Sequence, residues 1–165
     1  MLVLGIDPGT ATIGYGLVRE NRDGSLAAVK YGTIRTPAKT PMPERLAKIY
    51  TDLTALIELY EPDRAGVEEL FFAKNTTTAI TVAQGRGVIL LALEQAGVPI
   101  NEYKPNYVKQ SISGYGGADK TQMQEMVRML LSLDKIPRPD DAADALAIAI
   151  TDIHVGRYSG GYDLI

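Results

Sequence analysis

Leu2-Val3-Leu4-Gly5-Ile6 carries no polar side chain on either alternation, so the strand it predicts must be covered on both faces. Such a strand belongs in the middle of a sheet with helices packed above and below it. This one ends at an acid, Asp7, and a second short β-like run, Ala65-Gly66-Val67, also ends at an acid, Glu68. Asp141 and Asp144, three residues apart, open an Ala/Ile-rich helical stretch and share one helix face. An isolated buried carboxylate is costly unless a partner or metal compensates it. No His-Cys cluster and no run of cations accompanies these acids. Divalent metal ions are the simplest compensation, and a pair of them makes a phosphoryl-transfer site.

The order of elements decides whether the four acids can meet. Ile13–Arg19 predicts a second strand after the Pro8-Gly9-Thr10 turn, and Leu26–Ile34 a third after the Asp23-Gly24 hairpin signal. Leu46, Ile49, Tyr50, Leu53, Leu56, Ile57 and Tyr60 recur at helical spacing, stopped by Glu61-Pro62-Asp63. The strand ending at Glu68 comes next, then a long helix over about Thr76–Ala96 closed by Gly97. Val98–Tyr103 predicts a fifth strand. Short helices follow at Pro105–Ser111 and around Met123–Leu131, with a flexible Gly114–Gly117 loop between them. A last helix runs from about Asp140 to Val155. The expected fold is α/β: a mixed five-stranded sheet, its first three strands an antiparallel meander and the others parallel, with helices on both faces. Asp7 and Glu68 then fall at the C-terminal ends of neighbouring parallel strands, where such sheets place their sites.

With 165 residues and 45% hydrophobic content, one domain is expected, residues 1–156, with 157–165 a loose tail. No long apolar stretch and no charged leader are present, so neither a membrane span nor a signal peptide is expected. The absence of cysteine excludes disulfides and thiolate metal sites and suits a reducing cytoplasm, the expected location. The net charge of −3 argues at first against a polyanionic partner. Setting the four acids aside leaves the rest of the chain at +1, and Phe71–Pro139 holds eight Lys/Arg against five acids. Bound cations would add to that local positive face.

Plainer readings exist for each piece. Asp7 can cap its own turn, and acids favour helix N-termini, which accounts for Asp140 and Asp141 but less well for Asp144. Phe71 and Phe72 are the only phenylalanines, beside Lys74 and Asn75. They suit stacking on an unpaired base and gripping its phosphate, or simple anchoring of a loop. Lys109 and Lys120 flank the glycine loop and could reach a phosphate, or stay solvated. His154, the only histidine, lies ten residues past Asp144 and reads as a satisfied helix residue, so Ser-His-Asp chemistry is not expected.

Taken in order, these segments closely resemble the RuvC Holliday junction resolvases of the ribonuclease H-like superfamily. The matching pieces are Gly5-Ile6-Asp7-Pro8-Gly9-Thr10 with Gly14-Tyr15-Gly16, Glu68 through Ala73-Lys74-Asn75, and Gln84-Gly85-Arg86-Gly87-Val88. Further on come Val108-Lys109-Gln110, Lys120 with Gln122, Met126-Val127-Arg128, and Asp141 through Ala149. The resemblance implies a homodimeric endonuclease that nicks two opposed strands of four-way junction DNA, using two Mg²⁺ per subunit, with Mn²⁺ as a substitute. It implies metal-binding and catalytic roles for Asp7, Glu68, Asp141 and Asp144, choosing Glu68 over Glu69 and Asp141 over Asp140. It implies base stacking by Phe71, DNA contact by Lys74, Asn75 and Arg86, and Lys109 and Lys120 near the scissile phosphate. Ligatable 5′-phosphate and 3′-hydroxyl ends, a role in recombination and repair, and a RuvA–RuvB branch-migration partner are implied as well. A YqgF-type nuclease and a non-cleaving junction-binding protein are the rival readings. An actin-like ATPase would need a second lobe that 165 residues do not supply.

Overall fold

The computed structural model describes residues 1–70 and 76–159. The expectations for Phe71, Phe72, Lys74 and Asn75, and for residues 160–165, fall outside the described residues. Strands β1 (Leu2–Asp7), β2 (Thr12–Glu20) and β3 (Leu26–Arg35) form the expected meander. Helix α1 (Met42–Tyr60), β4 (Arg64–Glu68), α2 (Thr76–Gln95) and β5 (Ile100–Tyr103) follow. Helices α3 (Pro105–Ser113), α4 (Lys120–Leu130) and α5 (Asp140–Ser159) complete the described chain. The sheet order is β3-β2-β1-β4-β5, with β4 parallel to both β1 and β5. The strand that is apolar on both alternations is thus the central one.

Its two faces feed two cores. Leu2, Leu4 and Ile6 pack with Ile49 and Leu53 of α1 and Ile89 and Leu93 of α2. Val3 faces the other way, toward Leu146, Ile150 and Ile153 of α5 and Val108 and Val127 of α3 and α4. On that second face the strands are floored with glycine. A Cβ at Gly5 would collide with the Ala145 carbonyl, and one at Gly14 with the Asp141 carbonyl. The Ala-rich N-terminal half of α5 meets this bare surface, so helix and sheet backbones approach far more closely than two ordinary side chains allow.

The far half of α5 is tied by polar contacts. Asp152 is fully buried, ion-paired to Arg64 and hydrogen-bonded by Asn101 (2.7 Å) and the Tyr103 hydroxyl (2.8 Å). The helix continues past the expected Val155 to Ser159. Gly156 lies within it, and the Arg64 guanidinium occupies the space where a side chain would stand. Arg157, expected in a loose tail, instead donates from Nε to Glu20 (2.6 Å) and from Nη2 to the Gly24 carbonyl (2.6 Å).

Candidate active site

Register brings the first two acids together. Ile6 pairs with Val67 across the parallel β1–β4 ladder, so Asp7 and Glu68 leave adjacent strand ends side by side. Asp7 also pairs with Gly14, and Gly14 is the residue pressed against the Asp141 backbone. The glycine floor therefore seats the first turns of α5, and with them Asp141 and Asp144, above Asp7.

Two short helices supply the cations. Helix α3 carries Lys109 and ends at Gly114, whose φ of 83° places it in the left-handed region. Helix α4 begins at Lys120 behind a capping box: the Asp119 side chain accepts from the Gln122 N–H (2.8 Å), and Gln122 Oε1 accepts from the Asp119 N–H (3.0 Å). Asp7, Glu68, Asp144, Lys109 and Lys120 line one cavity of about 250 Å³, walled on the apolar side by Val108 and Met123. A larger cavity, about 550 Å³, is lined by Pro62, Gly97 and Val98 at the opposite end of the parallel strands, and it holds none of these groups.

The electrostatics of the cavity are those of crowded like charge. Burial first, then the carboxylates of Glu68, Asp144 and Asp141, push Asp7 up to about 8. Burial and Asp144 push Glu68 up to about 7, with Lys109 opposing. Asp144 is raised by burial and by its acidic neighbours against the pull of Lys120 and Lys109. Among the described residues no three acid or imidazole groups close into a ready-made cation cage.

The neighbouring acids behave differently. Asp140 points to Lys120 (2.9 Å) and Arg138 and accepts from Gln124 (3.0 Å), and these partners hold its carboxyl below the usual range. Asp141 does not line the 250 Å³ cavity but an adjoining groove beside Thr10, Thr12 and Arg45. Arg86, expected on DNA, turns inward. Its Nε donates to the main-chain carbonyl of Glu68 (3.0 Å) and its guanidinium pairs with Glu102, so it braces the end of β4. His154 sits apart, half-buried, with Nδ1 3.5 Å from the Ser111 hydroxyl, and burial lowers its pKa. Sequence reasoning missed two groups: the Asp152 cluster and the Thr10–Arg45 groove. Their members are isolated polar residues in unrelated segments, with no spacing to reveal them.

The family model for crossover junction endodeoxyribonuclease RuvC matches residues 3–152. The chain belongs to the RuvC family. It is 63% identical over 150 residues to a RuvC of Chloroflexus aurantiacus, covering 91% of each chain. It is 57% identical over 154 residues to that of Heliobacterium modesticaldum, covering 93% of this chain and 94% of the other. Thermus thermophilus RuvC in complex with Holliday junction substrate superposes with a TM-score of 0.91 at 35% identity, covering 96% of both chains. The yeast mitochondrial resolvase Ydc2 shares the fold alone, at 17% identity and a TM-score of 0.72, with 97% of this chain and 80% of that one covered. The RuvC family's fold is the mixed five-stranded sheet with helices found here.

Proposed function

We propose that this chain is a structure-specific endonuclease that resolves four-way DNA junctions by paired symmetric nicks, in recombination and repair. The observation that carries the reading is the cavity where Asp7, Glu68 and Asp144 meet Lys109 and Lys120. A pure binder gains nothing from buried acids facing a phosphate; a hydrolase does.

The donor set fits a hard divalent cation. It is all oxygen, and the burial and mutual repulsion that raise its carboxyl pKa values are what a cation would offset. Asp7, Glu68, Asp141 and Asp144 would hold two Mg²⁺, or Mn²⁺, per subunit. Bound there, the ions supply Lewis-acid stabilisation of the phosphoryl oxygens and lower the pKa of water. The chain's own residues do the rest. Lys109 and Lys120 offset the phosphate charge at the mouth, and Lys120 is held ready by Asp140. Val108 and Met123 exclude water from one wall, strengthening each charge interaction inside. In-line hydrolysis leaves 5′-phosphate and 3′-hydroxyl ends that ligase can seal.

Two opposed nicks need two sites. Helix α2 exposes Ile80 and Leu91 with Gly87 between them, a Cβ at Gly87 meeting nothing within 4 Å, and this stripe suits a two-fold homodimer. Phe71 stacks on an unpaired base at the crossover, with Lys74 and Asn75 on nearby phosphates. A RuvA–RuvB complex delivers the junction in the cytoplasm; no helix among the described residues is long and apolar enough to cross a membrane. The test is a synthetic four-way junction incubated with each metal in turn, with ligase added to the products. Wild-type protein should give paired, sealable nicks, and Glu68→Gln, Asp141→Asn or Asp144→Asn should bind the junction without cutting. Substantial cutting by Glu68→Gln in Mg²⁺ would refute the ligand assignment.

A further inference from the structure

The groove beside Asp141 has a volume of about 480 Å³ and is lined also by Thr10, Thr12, Arg45, Thr78 and Thr81. Thr10 is 7% exposed, and its Oγ1 is covered and has no hydrogen-bond partner among the described residues. A buried hydroxyl in that condition has given up water and received nothing for it. Its surroundings are otherwise well bonded. The Thr10 carbonyl accepts from Thr36 Oγ1 (2.6 Å), and Thr36 Oγ1 accepts from Arg45 Nε (2.8 Å). This chain fixes the guanidinium through Nε and leaves both Nη groups without a protein acceptor among the described residues.

Among the described residues Arg45 is the only cation lining the groove, and it sits in the first turn of α1. Thr78, in the first turn of the described α2, lines the same groove. Thr81 already donates its hydroxyl to the Thr78 carbonyl (2.9 Å), which leaves Thr12 and Thr78 as the hydroxyl donors, the Thr10 hydroxyl being covered. A forked guanidinium with free Nη groups beside neutral hydroxyls is a donor set suited to a singly charged phosphodiester. Asp141 lies at the groove's edge and limits the anion there to a single charge.

We propose that this groove is a second phosphate subsite, in which Arg45, Thr12 and Thr78 grip one backbone phosphate of the strand being cut, at a position other than the scissile one. The inference rests on the nuclease reading above. Asp141 stands at the boundary between the two sites, so a phosphate held in the groove sets the register of the strand across the catalytic acids. The contact reads no base, and its function is to position the strand.

The experiment is a cycle between protein and DNA. Junctions carrying a single neutral methylphosphonate, moved one position at a time along the cleaved strand, are bound and cut by wild type, Arg45→Gln and Thr78→Glu. One non-scissile methylphosphonate should weaken binding and slow wild-type cleavage about tenfold. Arg45→Gln should lose about tenfold on the unmodified junction and nothing further at that position. Thr78→Glu, an exposed change that leaves the fold intact by its melting temperature, should slow the unmodified junction and recover when that same phosphate is neutralised. If wild type leaves the junction uncut, the nuclease reading falls. If wild type cuts but both variants multiply the methylphosphonate effect equally at every position, the nuclease reading stands and the subsite is wrong.

Discussion

Replacing Asp7 with Asn should make the metal-free protein more stable while abolishing cleavage. Burial and the neighbouring carboxylates push the Asp7 carboxyl up from its ordinary 3.8 to about 8. A raised acid holds its proton more tightly in the fold, so the fold loses stability as pH climbs from about 4 and has lost the full amount above about 8. At about 1.4 kcal/mol per pH unit, the upper bound is roughly 6 kcal/mol at high pH. Glu68 and Asp144 carry part of the same repulsion and water enters the cavity, so about half, 2–3 kcal/mol, is the expected gain at pH 8. For a domain of this length that is a rise of about 5–10 °C in Tm. At pH 4.5 the wild-type penalty falls below about 1 kcal/mol and the two proteins should nearly coincide. Circular-dichroism melts in chelator at both pH values provide the measurement. An Asp7→Asn protein no more stable than wild type at pH 8, or equally stabilised at pH 4.5, would refute the reasoning.

Arg86→Ala should lower the junction cleavage rate about tenfold and leave junction affinity within about twofold, because Arg86 braces the Glu68 carbonyl at the end of β4; single-turnover rates against gel-shift affinities separate the two. Gly5→Ala forces a methyl group into the Ala145 backbone and should cost about 3 kcal/mol or more in urea unfolding. Asp152→Ala strands Arg64 and should destabilise the fold by about 3–5 kcal/mol in the same assay. Phe71→Ala should impair junction distortion, followed by fluorescence, more than Phe72→Ala does; the reverse order would reassign the stacking role.

The strand ends were readable because an apolar run needs a stopping point, and Asp7 and Glu68 supply it in plain view. The helix bearing Asp141 and Asp144 was equally plain from its alanines. What gave no local sign was its seat. Gly5 and Gly14 are informative only against Ala145 and Asp141, which lie more than a hundred residues further on. Arg86 shows the same limit from the other side: its charge is visible in the sequence, but the Glu102 that takes it up lies on another element. The end of α5 gives no local sign either: the contacts that carry it past Val155, from Arg157 to Glu20 and Gly24, lie at the other end of the chain. The competition between Asp140 and Asp141 likewise turns on Arg138 and Lys120, which take up the Asp140 charge.

The seating of α5 divides the site into a stiff half and a compliant half. At one end the helix backbone is locked against glycine, and at the other Asp152 and Arg157 tie it to strands and a turn, so it can neither slide nor roll. The backbone that carries its two acids is therefore set against Asp7 by the sheet itself. Helices α3 and α4 meet α5 through a much smaller surface than the sheet does, and they carry both lysines. On the nuclease reading proposed above, the acids are the fixed gauge of the site and the lysines its adjustable side.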